Sequence, residues 1–411
     1  MRYVKASSVR GGLFLMALLG SMGLLAACGG GSSSSSSSSN NTITTTGQNV
    51  QPIAVNGGPV PNSIYENGAF TSVTLCVPGS STCQTIDGIL VDTGSFGLRI
   101  LNSAITLSLP ALSSNGSAVN DCVTFVDGSF LFGPVEQADV KLAGETASSV
   151  SIHAIQTPTA FTIPASCSNG GTNEDTLATL GANGILGVGP EPQDCGPACD
   201  PSGGQPSPPT PAYYACTSPA GCLPAFVTLG QQVTNPVVMF ATDNNGVIIE
   251  LPSASGQEAS LSGSLVFGIG TQSNNQVPSS ATLFLLDSAD NFTTNFNGQA
   301  LTGSFIDSGS NALFFPDSTI PACSDLTFFY CPASTANLSA TNQGTNGATS
   351  NVTFSVGNAD SMSNTDAVLP TLAGPNTSGF DWGLPLFYGR NIYTAIDGKS
   401  TPLGTGPYWA Y

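Results

Sequence analysis

Gly303-Ser304-Phe305-Ile306-Asp307-Ser308-Gly309-Ser310-Asn311-Ala312-Leu313-Phe314-Phe315 is an apolar run with strand character that breaks at an acid and a glycine and then resumes. Far upstream, Gly88-Ile89-Leu90-Val91-Asp92-Thr93-Gly94-Ser95-Phe96-Gly97-Leu98-Arg99-Ile100 repeats it position by position. Both read apolar, Asp, Thr or Ser, Gly, Ser, any residue, Gly or Ala, Leu. Such a match is an internal duplication.

A carboxylate at the end of a buried strand is costly unless it is hydrogen-bonded or chemically used, and the glycine after it lets backbone amides approach without a Cβ in the way. Two such loops predict two halves facing one another. Two carboxylates brought together cannot both ionise at modest pH, so they share a proton. The paired Asp-Thr-Gly-Ser and Asp-Ser-Gly-Ser resemble the active-site loops of the pepsin family. One tripeptide of this kind is weak evidence, since Asp287-Ser288-Ala289 nearly matches and reads as an ordinary turn. The pair with matching flanks is far more specific.

Other segments agree in order. Cys122 to Gly133 reads as a hairpin turning at Asp127-Gly128, and in position it resembles the pepsin flap, with Phe125, Asp127, Gly128 and Ser129 at its tip. Phe125 stands where the family has a tyrosine, and Arg99 where it has that tyrosine's tryptophan partner. Asn183-Gly184-Ile185-Leu186-Gly187 is similar to the apolar-apolar-Gly element that threads beneath each pepsin active-site loop, where backbone passes close to backbone. Phe380-Asp381-Trp382-Gly383 resembles its later counterpart. Ala225 to Phe240 reads as a short helix followed by a strand, as where a pepsin N-lobe ends, and Gly263 to Gly270 resembles the strand that begins the C-lobe.

The resemblance implies an all-β, bilobal acid-protease fold: two β-barrel lobes of the six-stranded type with a cleft between them. The boundaries expected are a signal peptide over 1–27, a flexible tether over 28–59, an N-terminal lobe over 60–245 with a Cys- and Pro-rich surface insertion at 190–224, and a C-terminal lobe over 246–411.

Arg2, Lys5 and Arg10 precede an apolar run from Leu13 to Leu25, too short to span a membrane as a helix. Leu25-Ala26-Ala27-Cys28 then resembles the bacterial lipobox, which implies lipidation at Cys28 and a lipid anchor in the cell envelope, at the outer membrane if the cell is Gram-negative. The plainer alternative is an ordinary secretion signal with a chance cysteine. Eight serines from Ser32 to Ser39 follow and cannot bury a core.

Removing the leader leaves four of the seven Lys and Arg against twenty-five acids, a formal charge of −21 that argues against a nucleic-acid partner. Ten cysteines remain besides Cys28, an even number that fits five disulfides in an oxidising compartment. Cys76 with Cys83 and Cys323 with Cys331 are the nearest pairs, and Cys195, Cys199, Cys216 and Cys222 staple one region among themselves. No metal or cofactor is expected; nearby histidine is missing from Cys195-x3-Cys199, and no phosphate loop or dinucleotide fingerprint occurs.

His153 is the only histidine and lies in an alternating strand pattern without a nucleophile elbow. Glu136, Glu145, Glu174, Asp175, Glu191, Glu250 and Glu258 offer carboxylates for glycosidase chemistry, but none recurs with its flanks. The resemblance therefore implies a monomeric aspartic endopeptidase acting on protein or peptide at acid pH. Asp92 and Asp307 would form the catalytic pair, Ser95 and Ser310 would bond their carboxylates, and Thr93, Gly94, Ser308 and Gly309 would build and lock the loops. The alternative is a catalytically silent binding module of the same fold, which the altered flap favours.

Overall fold

The computed structural model describes residues 41–411 apart from 115, 160, 204–211 and 218–220. The signal segment, Cys28 and the serine run lie outside the described residues. Short strands dominate and gather into barrel-like sheets: one of sixteen strands, one of seven and one of two.

Each acid loop is built by the same three strands. Cys83–Asp92 runs into the first loop, Phe96–Leu101 runs out of it, and Gly184–Val188 is threaded between them, parallel to the incoming strand (Leu90 opposite Ile185) and antiparallel to the outgoing one. In the second, Gln299–Ile306 runs in, Leu313–Phe315 runs out, and Asp381–Trp382 threads between in the same senses, with Phe305 opposite Asp381. The duplication therefore extends from the tetrapeptides to the strands around them. Ile89, Leu90 and Val91 are all buried, as a strand covered on both faces requires. Each threaded segment passes the loop at a glycine, Gly187 and Gly383, for a steric reason: a Cβ on Gly187 would come within 2.7 Å of the Phe96 backbone, and one on Gly383 within 2.1 Å of the Ala312 carbonyl.

The two regions are sewn together by the start of the described chain. Val50–Val55 pairs with Leu261–Phe267 over six positions on one side and meets Ala69–Cys76 on the other. This corrects the tether expected over 28–59, for its last third is core strand, with Ile53 and Val55 buried. The neighbouring Thr, Asn and Gly had masked a short alternating pattern. Ahead of it, the Asn41 side chain already donates to the Leu251 carbonyl at 2.9 Å.

Two further expectations are revised. Residues 225 to 240 hold the 3-10 turns Leu229–Gln231 and Pro236–Met239, not a helix and a strand, because Pro236 at the start of Val-Val-Met favours a tight turn capped by Asn235. The segment 190–224 is not merely surface, since Tyr213–Thr217 adds to the sheet beside Ser117–Thr124 and fully buries Tyr213 and Tyr214. Proline content hid that strand.

Five disulfides join Cys76 to Cys83, Cys122 to Cys167, Cys195 to Cys199, Cys216 to Cys222 and Cys323 to Cys331. Four close loops of eight residues or fewer, whereas Cys122–Cys167 spans 45. In the chain-entropy account that one contributes about 4 kcal/mol and each short one about 2. The core under the second loop is aromatic: Trp382 stacks on Phe380 with centroids 3.8 Å apart, and Phe380 on Phe315 at 4.8 Å.

Candidate active site

Asp92 and Asp307 emerge at the ends of their incoming strands and meet. The Asp92 carboxylate accepts the Gly94 amide at 2.8 Å through Oδ1 and the Ser95 hydroxyl through Oδ2. Asp307 accepts the amides of Gly309 at 2.7 Å and Ser310 at 3.2 Å through Oδ1, and the Ser310 hydroxyl at 3.0 Å through Oδ2. The two carboxyl groups face one another: a Cβ on Gly309 would lie 2.6 Å from Asp92 Oδ1 and 3.1 Å from Asp307 Oδ1. Two acids held this close favour sharing a proton.

Thr93 and Ser308 hold the loops in register by a reciprocal exchange. The Thr93 amide donates to Ser308 Oγ at 3.0 Å and the Ser308 amide to Thr93 Oγ1 at 2.9 Å. Each hydroxyl then donates into the opposite strand, Ser308 to the Val91 carbonyl at 2.8 Å and Thr93 to the Ile306 carbonyl at 3.2 Å. All four bonds are buried and cross between loops 215 residues apart, so losing one strands a polar group at about 1–3 kcal/mol. Gly94 and Gly309 are needed for more than amide access. A Cβ on Gly94 would strike the Asp307 carboxyl at 2.4 Å, and one on Gly309 would come within 2.6 Å of Asp92 Oδ1.

Burial sets the electrostatics. Both acids are wholly buried, and two unit charges 4 Å apart repel by about 4 kcal/mol at an effective dielectric of about 20. Burial raises Asp92 above the usual carboxylate range, while its bonds to Asp307, Ser95 and the Gly94 amide pull the other way. Asp307 is raised well above that range by burial, then by the charges of Asp92 and Asp381. The two therefore titrate as a pair, one carboxyl ionising while the other keeps the proton.

The hairpin Ser117–Thr124 and Phe130–Leu142 has the turn expected at Asp127-Gly128, with Asp127 accepting the Ser129 amide at 2.9 Å and its hydroxyl at 2.7 Å. Phe125 is buried in a cluster with Tyr65, Phe70, Leu90, Leu101 and Ile185, against the strand that carries Asp92. Arg99, matched in sequence to a flap partner, is instead wholly buried between Asp121 and Asp194, with His153 Nδ1 3.0 Å from its Nη1. One guanidinium between two acids holds Asp121 down to about 2 despite its burial, while burial and the Asp121 charge push Asp194 up to about 7. Burial also lowers His153. His153 is thus held neutral and wholly buried beside the Arg99–Asp121 pair.

The sequence reading missed two contributors. Asp381 is buried on the second threaded strand and accepts the Ser310 hydroxyl at 2.7 Å. Asn67, at φ +50°, donates to the carbonyls of Asn311 at 2.7 Å and Leu369 at 2.9 Å, accepts the Leu369 amide at 2.7 Å, and so clamps the residue after Ser310 from the first half of the chain. Asn67-Gly68 was the available signal, because Asn tolerates the left-handed region and carries both donor and acceptor.

Residues 45–411 match the model of a family described as Protein of unknown function (DUF3443). No curated protein matches the chain.

A carboxyl group raised on folding stabilises below its unfolded value, and that contribution is lost as pH rises through the folded value. Asp307 therefore costs stability near neutrality. Asp307→Asn should raise the urea midpoint at pH 7, with the gain shrinking as pH falls toward 4; a variant destabilised equally at every pH contradicts this.

Proposed function

We propose that this chain, which belongs to the DUF3443 family, is an aspartic endopeptidase of bilobal pepsin-like architecture. The observation that carries the reading is that Asp92 and Asp307, two buried acids, face one another on duplicated loops interlocked through Thr93 and Ser308. A purely structural protein gains nothing from burying two like-charged groups against each other. Ionised Asp92 takes a proton from a bound water while protonated Asp307 donates to the scissile carbonyl. Water oxygen adds to the carbon, and as the diol intermediate collapses Asp92 passes its proton to the leaving nitrogen while Asp307 takes back a proton from a diol hydroxyl, restoring both acids as the C–N bond breaks. The matched strand threading around each loop and the hairpin at Asp127-Gly128 support the pepsin-like assignment.

One observation favours the second reading, a silent binding module. The hairpin is tied within its ladder by Cys122–Cys167 and along its edge by the Phe130 amide on the Thr172 carbonyl at 2.9 Å, contacts that restrain its opening and closing. We further propose that the protein is a monomeric envelope lipoprotein anchored at Cys28, on the lipobox and serine tether alone.

Incubation of the purified domain with denatured protein decides between the two readings. Cleavage should peak on the acid side, falling at low pH as Asp92 takes a proton and at higher pH as Asp307 loses one, and Asp92→Asn or Asp307→Asn should each lower it by at least about 10³-fold with the fold intact. A wild-type domain as inert as both variants at every pH supports the binding module. For the anchor, Cys28→Ser should free the protein from membranes; unchanged pelleting would sink it.

A further inference from the structure

The two acid loops differ at one matched position. Ile185 faces Leu90 on the first threaded strand, and Asp381 faces Phe305 on the second. Both are buried, so an apolar side chain beneath one acid is replaced by a carboxyl group beneath the other.

Ser310 lies between the two second-loop acids, its Oγ 3.0 Å from Asp307 Oδ2 and 2.7 Å from Asp381 Oδ2. A serine hydroxyl has one proton. It can donate to one carboxylate only, and the other contact is a hydrogen bond only if that carboxyl is itself protonated and donates to Oγ. Both contacts are hydrogen bonds only in a state where one of the two carboxyl groups is protonated.

We propose that Asp381 is a third carboxyl group of the site, a positioning residue that acts through Ser310 to set how strongly Asp307 holds the proton it shares with Asp92. The inference rests on the peptidase reading for its catalytic consequence, but not for the proton relay itself. With Asp381 protonated, it donates to Ser310, and Ser310 donates to Asp307. Once Asp381 ionises, Ser310 turns to this nearer acceptor, so Asp307 loses a donor and gains a negative neighbour. Both changes make Asp307 keep its proton to higher pH, in keeping with the influence of the Asp381 charge on Asp307. Asp307 faces Asp381 across Ser310, and Asp92 lies beyond it. The flanking strands Gln299–Ile306 and Leu313–Phe315 carry no charged residue, and neither do Trp382, Gly383 and Leu384 after it. The first loop has no such relay, for Ser95 donates to Asp92 above an isoleucine.

Asp381→Asn keeps the shape and fixes Ser310 toward Asp307 by donating an amide hydrogen to Oγ; Asp381→Ile copies the first loop. In either variant the alkaline limb of cleavage should move down by about one pH unit or more, with the acid limb moving less. The aspartate carboxyl titration followed by carbon-13 NMR should show Asp307 deprotonating at correspondingly lower pH. Unchanged limbs and an unchanged Asp307 titration overturn the proposal. If the wild-type domain cleaves nothing, the peptidase reading fails while the titration still judges the relay. Should neither variant fold, the wild-type spectrum decides: Asp381 titrating together with Asp307 supports the relay, and Asp381 titrating independently of it overturns it.

Discussion

Two buried carboxyl groups facing one another are the constraint on which the other features bear. They stay together at low cost only if they share a proton and the loops cannot drift apart. Burial raises both acids, and the exchange between Thr93 and Ser308 prevents the drift. Glycine at 94 and 309 is forced because each faces the opposite carboxyl at under 3 Å from where a Cβ would lie. Glycine at 187 and 383 is forced one layer below, where the threaded strands pass the loop backbones. These four positions tolerate no side chain without moving an acid or the strand that supports it.

The second constraint is structural and lies away from the acids. Arg99, one of the four Lys and Arg that follow residue 28, is spent in the interior between Asp121 and Asp194 beside His153. A buried pair of this kind is weak evidence for net stability, yet removing one partner costs about 3–5 kcal/mol because it leaves a charge unmatched. Arg99 sits on Phe96–Leu101, the strand that leaves the first acid loop, and Asp121 on the hairpin arm Ser117–Thr124. The network thus fixes the hairpin relative to the loop by charge, where the apolar cluster around Phe125 fixes it by packing.

Much of this was legible in the residues. The repeated flanks of Asp92 and Asp307 gave away the pair because duplication preserves order, and the Ile-Leu-Gly and Asp-Trp-Gly segments gave away the threaded strands because close backbone passage admits only glycine where they pass the loop. Asp127-Gly128 marked its turn by local chemistry alone. What escaped was either too short or dependent on a distant partner. Val50–Val55 has only six residues amid turn formers, and Tyr213–Thr217 is embedded in a Pro-rich stretch. Asp381 was read only as part of the threaded segment, since nothing near it in sequence reveals that it meets Ser310. Arg99 was compared with a flap partner when its own partners lay 22, 54 and 95 residues away.

The central claim is that water, activated between Asp92 and Asp307, attacks the peptide carbonyl with no covalent enzyme intermediate. It is tested most directly by digesting a denatured protein with the purified domain in oxygen-18 water, with hydroxylamine present, and reading the new carboxyl termini by mass spectrometry. The account predicts new termini that carry solvent oxygen and no hydroxamates. Hydroxamate-bearing termini, which report a trapped acyl-enzyme, or the absence of any new termini across acid and neutral pH, would contradict it.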